Sequence, residues 1–429
     1  MNTRFLLSQS ARLRYATGTM MYFAQGIPQG LLHIAMPAWL ASQGVSAGRI
    51  ASYLAVIILP WAFKLLAGPL MERFKFLPMG SLRPWALGAQ LGLVISLLTL
   101  TFIDNPAEQI GLLTLAGVLI NSFAAMQDVA IDGMAIDLTP ANEQGRLNAF
   151  MGFGKAFGWA STSALSGVLL VTWGIDATAI AAAIGAAVVL LAFVFVLEHK
   201  GERLLPWTAG NASSAHHASM AGHKVFARIN KILWLRASVI VMIIMFFDGL
   251  VSGYGQALMP IAAVKLFGLT TPQWSQLVAV MGMVGAVAAL ALGPMIDRVG
   301  ARRMLLLTVT LVASHAFLIA GTQHLWEDNT YMLVMLSVWI LMLPVTMVCV
   351  FALAMTICQK GFAATQFAIY MSIANLGASA GSKAFGLVAE RASYVQNYVV
   401  LGLFVVGMLF STLFHRDVTV SDDAGAETS

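Results

Sequence analysis

Four ionisable residues interrupt the apolar sequence between Asn121 and Trp159: Asp128, Asp132, Asp137 and Lys155. Charges set in apolar spans are costly, so they face a bundle interior or a wet cavity and serve ions, protons or polar solutes. Asp128 and Asp132 stand four apart, which puts both carboxylates on one face of a helix. Carboxylates gathered near a lysine titrate as a unit, because burial and neighbouring charge move each group. Proton coupling is therefore expected of Asp128 and Asp132. Counting about 1.5 Å per residue, Asp128 lies roughly 16 Å above a helix end near Thr139, and Lys155 roughly 15 Å above a helix start near Gly145. The matched depth admits a structural Asp128–Lys155 pair or a working site. Lys64 reaches the same zone from another span, so Lys64, Lys155 and Gln127 are expected to meet a solute. Asp137 lies nearer the helix end and suits a cytoplasmic gate, with Arg73 or Arg146 as partner.

A second set comes from internal repetition. Gln25-Gly26, Gly30 and Met36-Pro37 recur as Asp248-Gly249, Gly253 and Met259-Pro260, 223 positions later. Asp248 falls roughly 21 Å into its helix, near mid-depth, and is expected to bind a proton or a solute. Gln25 is its counterpart for solute binding, and His33 is near the same cavity. The spacings Gly26–Gly30 and Gly249–Gly253 let helices approach closely. Pro28, Pro37 and Pro260 mark local kinks. Lys383 and Glu390 flank an outer mouth, and His315 reads as a hydrogen-bonded core histidine.

These residues need a housing, and composition describes it. The 429-residue chain is 59% hydrophobic and only 10% charged, with mean hydropathy +0.82. A soluble domain carries about 25% charged residues, so this is a membrane protein with no soluble enzyme attached. The formal net charge of +5 does not mark nucleic-acid binding, since Lys and Arg are scattered through short loops. At about 20 apolar residues per span, twelve helices are predicted, over 15–40, 46–68, 83–103, 109–138, 145–172, 176–197, 234–264, 273–292, 304–321, 330–357, 364–389 and 395–414. Eighteen basic residues fall on one side of that topology against three on the other, which predicts both termini in the cytoplasm. The predicted organisation is a six-helix half over 1–197, a cytoplasmic linker over 198–232, a second half over 233–415 and a disordered tail over 416–429. His216, His217 and His223 in the linker read as a solvated loop, and no metal or other cofactor is expected. Trp39, Trp173 and Trp326 are predicted aromatic-belt anchors. Gly152-Phe-Gly-Lys155 lacks the other residues of a phosphate loop, and no H-E-x-x-H occurs, so neither nucleotide hydrolysis nor zinc proteolysis is supported.

Gly68-Pro69-Leu70-Met71-Glu72-Arg73 recurs as Gly293-Pro294-Met295-Ile296-Asp297-Arg298, at an offset of 225. Two repeats at nearly one offset, both starting on the same side, give parallel halves related by an axis along the membrane normal. The run Gly293 to Arg303 resembles the G-x-x-x-D-R-x-G-R-[RK] loop of major facilitator proteins. That resemblance implies an ion-pair gate at the cytoplasmic mouth, made here by Glu72, Arg73, Asp137, Arg146, Asp297, Arg298 and Arg302. Tyr22 to Gly30, Leu59 to Lys64 and Gln127 to Gly133 further resemble the peptide–acetyl-CoA–drug transporter branch, with its AmpG-type muropeptide and siderophore permeases. What this implies is proton-driven movement of a bulky, often anionic solute; the short loops suggest a bacterial inner membrane, and a monomeric importer is expected. A drug or metabolite antiporter of the same fold, running outward, is the alternative.

Overall fold

The computed structural model describes residues 5–74, 77–208, 233–358 and 363–415. Most of the predicted linker, with His216, His217 and His223, and the tail 416–429 lie outside the described residues, as do the side chains of Glu72 and Asp297. Inside a bilayer each backbone N–H and C=O must be satisfied within the chain, which leaves an apolar polypeptide the helix. The described chain is accordingly helical apart from its connections. α1 (Ala11–Pro28) runs through a π-helical segment, Gln29–Ala35, into α2 (Met36–Ser42). α3 (Ala47–Ile57), α4 (Leu59–Phe63) and α5 (Ala67–Arg73) follow, then α6 (Arg83–Leu98), α7 (Ile110–Leu138), α8 (Ala141–Thr172) and α9 (Gly174–Val194). The C-terminal part contains α10 (Arg236–Lys265), α11 (Thr271–Val299), α12 (Ala301–Gly321), α13 (Asn329–Ile357), α14 (Ala363–Ala389) and α15 (Tyr394–Phe414). Among the described residues, nine helices are long and apolar enough to cross a membrane. The stretches 11–42, 141–172 and 363–389 are helical as well, the first broken by its π segment and the second carrying Lys155.

Polar side chains start many of these helices. Ser10 accepts from the Leu13 amide, and Asp328 from the amides of Thr330 and Tyr331. Thr270 with Gln273 and Ser393 with Gln396 form capping boxes, each satisfying orphan donors at both ends of the box.

Two seams of bare backbone organise the core. Gly26 of α1 and Gly30 of the π segment lie against the α8 backbone between Lys155 and Ser163, while Gly154 and Gly158 of α8 lie against Thr19 and Phe23 of α1. In the C-terminal part, Gly249 and Gly253 of α10 meet Ala374 and Ala378 of α14, and Gly377 and Gly381 meet Phe246 and Leu250. A Cβ at any of these glycines would collide with backbone that cannot yield. Gly154 and Gly158 recur as Gly377 and Gly381 at the same offset of 223 as the first repeat.

Two further helix pairs join the N-terminal and C-terminal parts: α3 packs on α14, and α8 on α11. Lys265 donates to the Val45 carbonyl at 2.6 Å, Lys383 to Ser52 Oγ at 3.3 Å, Ser379 to the Ala55 carbonyl at 2.7 Å and Asn375 to the Trp61 carbonyl at 3.2 Å. Ser163 donates to the Ser275 carbonyl at 3.1 Å, and the Trp159 ring rests against Gly282. These links run from the end of the bundle away from the basic loops down to its middle.

One belt expectation changes. Trp173 is 74% exposed, as an anchor should be, but Trp326 is 8% exposed. Its indole N–H donates to the Ile319 carbonyl at 3.0 Å, and its ring packs edge-on with Phe267 and Tyr398. The aromatic clusters fold Trp326 into the core. His315 is the expected core histidine, 3.0 Å from the Met335 carbonyl.

Candidate functional site

The site is built where the second span breaks. Pro60 sits in the first turn of α4, and the chain tightens into a 3-10 turn over Lys64–Leu66 before α5 begins. That tightening turns Lys64 into the bundle, where its Nζ donates to Asp128 Oδ2 of α7 at 2.7 Å. The side chains are 15% and 4% exposed, so the pair is held in poorly solvated surroundings. One turn further along α7, Asp132 accepts a hydrogen bond from the Tyr22 hydroxyl of α1, and the same hydroxyl is also near Asp128.

Lys155 does not make the structural pair with Asp128 that the matched depth admits. The register of α8 lays its ammonium over aromatic faces instead, 5.0 Å from the Trp61 ring centroid and 5.9 Å from that of Tyr22. Lys64 lies 5.9 Å from the Trp61 ring on its own side. Two ammonium groups and two carboxylates thus surround Trp61 and Tyr22, and only one ion pair within 4.0 Å forms among them. Trp61 is fixed at its edge by donating from its indole N–H to Asn121 Oδ1 at 2.7 Å. Tyr22 and Trp61 were present in the motifs but were not singled out, because neither carries charge.

The other expected solute contacts divide. Gln127 is fully enclosed, and it donates to the Met21 carbonyl at 3.0 Å and to Gln90 Oε1 at 2.8 Å. Gln90 passes the chain on to the Ala186 carbonyl at 2.9 Å. This amide chain ties α1, α6, α7 and α9 together, so Gln127 acts in packing and not at a cavity wall. Gln25 is fully buried with both amide atoms unpartnered. His33 is 7% exposed, its Nε2 is unpartnered, and its polar neighbours are Asn121 and Gln256. Asp248 is half-buried on α10 and makes no hydrogen bond or ion pair among the described residues.

The gate's acids Glu72 and Asp297 lie outside the described side chains, so only its other members are placed. Arg73, Asp137, Arg146 and Arg298 are exposed, and none of them is in an ion pair among the described residues. Arg302 turns to its own end of the bundle and donates to the carbonyls of Thr412 and Leu413, at 3.4 and 3.1 Å, where it closes the C-terminus of α15. A cation at a helix C-terminus meets the negative end of the dipole, which explains the choice. At the end away from the basic loops Lys383 bonds Ser52 and Glu390 abuts Gly48.

Two charged constructions at the basic end were read as topology alone. Arg14, 7% exposed, donates to Glu143 Oε2 at 2.5 Å and to the Leu7 carbonyl at 2.6 Å. Arg83 is fully buried and donates to the carbonyls of Val194 and Val196 at 2.6 and 2.5 Å. Reciprocally, Glu198 accepts from the amides of Ser81, Leu82 and Arg83 at 2.7 to 2.8 Å. The arginine thus closes the end of α9 and the glutamate caps the start of α6. Residues 5–8 join the same junction through a parallel bridge between Leu6 and Leu197. Glu202, which accepts from the Glu198 amide and pairs with His199, has its carboxyl pushed above the ordinary glutamate range by burial.

A profile of the Major Facilitator Superfamily matches residues 18–382. The chain belongs to that superfamily. It is therefore a multi-pass membrane transporter of the inner-membrane kind and not an enzyme. Among characterised proteins it resembles the anhydromuropeptide permease of Escherichia coli (strain K12), 27% identical over 151 residues that make up 35% of this chain and 30% of the permease. An uncharacterised protein of Haemophilus influenzae is 31% identical over 123 residues, or 29% of this chain and 28% of that one. The chain thus matches about a third of the length of these relatives. Solved structures share the fold over nearly the whole chain. A D-xylose-proton symporter gives a TM-score of 0.71 at 14% identity, covering 95% of this chain and 98% of that one. A nucleoside transporter gives 0.65 at 11% identity, covering 93% and 99%.

Proposed function

We propose that this superfamily member is a proton-coupled importer of a bulky polar solute, with twelve spans in two six-helix halves and both termini in the cytoplasm. The observation that carries the reading is the Lys64–Asp128 ion pair beside Tyr22 and Asp132, set next to the seam where the two halves meet. An ion pair is tolerated in a span because it is neutral as a unit, whereas either charge alone is costly. A proton taken by Asp128 would leave the Lys64 ammonium without its counter-ion. That state is relieved by a solute group or by movement of the halves. Proton and solute are thereby coupled through one shared cation. Asp132, held by Tyr22, is the second acid of the unit. The hydrogen bonds that tie the parts at the end away from the basic loops support a state open to the cytoplasm, where solute and proton leave.

The test is uptake by cells overexpressing the protein, with labelled ferric siderophores and anhydromuropeptides, with and without a protonophore. Protonophore-sensitive accumulation of one class supports import. Asp128→Asn is expected to lose uphill accumulation while keeping exchange of solute for solute, and wild-type accumulation by this variant would end the assignment. Lowered retention of a dye or drug without uptake of either class would instead favour an outward antiporter.

A further inference from the structure

Two charges of opposite sign, one in each part of this transporter, make no hydrogen bond and no ion pair within 4.0 Å among the described residues. Lys155 on α8 makes no hydrogen bond and no ion pair within 4.0 Å among the described residues; its ammonium lies over the faces of Trp61 and Tyr22, with Asp128 and Asp132 acting on it from farther off. Asp248 on α10 makes no hydrogen bond and no ion pair either. Both are half-buried, so water or a ligand can touch them, yet both lie within long apolar helices.

The two are joined by one polar wall. From Lys155 it passes to Trp61 beneath the ammonium, then to Asn121, which accepts from the Trp61 indole at 2.7 Å. His33 stands next, with Asn121 on one side and Gln256 of α10 on the other. Gln256 donates to Ser252 Oγ at 3.3 Å, and Ser252 is one helical turn from Asp248, on the same face of α10. The wall crosses from one part of the molecule to the other at His33 and Gln256. The Nε2 of His33 is enclosed and unpartnered on that wall, which is the mark of a surface waiting for a donor or acceptor.

A charge set in an apolar span without a directly bonded counter-ion is costly, and a ligand that supplies one relieves that cost. Here the ammonium belongs to one part and the carboxylate to the other. We propose that the solute is zwitterionic: an acidic group seats on Lys155 over Trp61, and an amino group seats on Asp248. The polar middle of such a solute, amide-like in its mix of donors and acceptors, lies along His33, Gln256 and Asn121. Binding then draws the two halves together, because each end of one molecule is held by a different half. Lys64 stays with Asp128 until that acid takes a proton, and its freed ammonium then joins Lys155 at the acidic end of the solute, which keeps proton and solute coupled. The proposal deepens the transporter reading and rests on it.

The test measures binding directly and without a gradient. Purified full-length protein in nanodiscs is titrated with labelled di-, tri- and tetra-alanine, whose charge separation grows by about 3.5 Å per residue. Each peptide is compared with its N-acetyl form, its amide, and the form blocked at both ends. At the best length, the free peptide is expected to bind about tenfold or more tightly than either singly blocked form. Lys155→Gln should erase the preference for a free carboxylate and leave that for a free amine. Asp248→Asn should do the reverse. Lys155→Arg, which keeps the charge, should keep both preferences, and its elution profile guards against misfolding as the cause of loss. Equal binding of free and blocked peptides overturns the proposal, and so does no binding of any free peptide at millimolar concentration. Full retention of both preferences in Lys155→Gln and Asp248→Asn overturns it as well. Uptake of the bound peptide with and without a protonophore is read separately: charge-selective binding with protonophore-insensitive uptake removes proton coupling alone.

Discussion

The Lys64–Asp128 pair carries a stability prediction that separates partnership from charge. Removing one member of a buried pair leaves the other uncompensated and costs about 3–5 kcal/mol, whereas removing both can be nearly neutral. Lys64→Gln is therefore expected to unfold earlier than wild type in an SDS titration, and Lys64→Gln with Asp128→Asn should recover most of that loss. A double variant as unstable as the sum of its parts would show that the two residues act separately. A second residue-scale prediction concerns Glu202, outside the spans. Burial raises its carboxyl, so the folded chain holds that proton more tightly than the unfolded chain does. Its contribution is fully present below the ordinary glutamate value and is lost as pH rises through the raised one. Amide protection over 195–203 should fall across that window, and Glu202→Gln should flatten the change. The acids of α7 were legible because a carboxylate in an apolar run is conspicuous. Their partner was legible only in depth: Lys64 and Lys155 are both deep enough, and the choice between them is made by a 3-10 turn that no residue pattern announces. Arg83 shows the opposite failure. As one of many basic residues it informs topology, while its carbonyl partners lie more than a hundred positions away.

At the scale of elements, the glycine seams set what the helices tolerate. Gly26, Gly158, Gly249 and Gly381 each put backbone against backbone, so even a methyl group forces helices apart. Gly158→Ala is expected to cost about 1–3 kcal/mol, in the range of other overpacked cores, and Gly158→Leu to yield no folded protein by fluorescence-detected size exclusion. Gly152→Ala, with open space around it, is the matched control and should be silent. The limits of the helices followed well from the apolar runs. The predicted 330–357 and 83–103 correspond to Asn329–Ile357 and to Arg83–Leu98 with its 3-10 extension to Phe102. The repeat between Gly154-Gly158 and Gly377-Gly381 was harder to see, because the residues around these glycines differ and only their packing matches. The π segment in the first span was not legible at all, since a widened turn leaves no periodic trace over seven residues.

Across the whole molecule, the hydrogen bonds that tie the two parts at the end away from the basic loops predict a state that can be trapped. Lys383 and Ser52 sit 3.3 Å apart at their tips, one on each side of the seam. Cysteines at both positions, joined by a short bifunctional thiol reagent, are expected to reduce uptake to background. The same reagent on either single cysteine should leave uptake unchanged. Uptake that survives the cross-link would mean that this end of the seam does not open during transport.

The seat of Trp159 on Gly282 has a mechanical consequence. Above it the two parts are tied by hydrogen bonds, and below it α8 continues for eighteen residues to Ala141. If the indole is a fulcrum, that lower arm is roughly 27 Å long, and a tilt of only about 10° swings its tip by about 5 Å. Leverage of this kind lets a displacement too small to disturb the ties at one end admit a solute at the other. It also makes position 282 a place to change the throw of the lever without touching a charge.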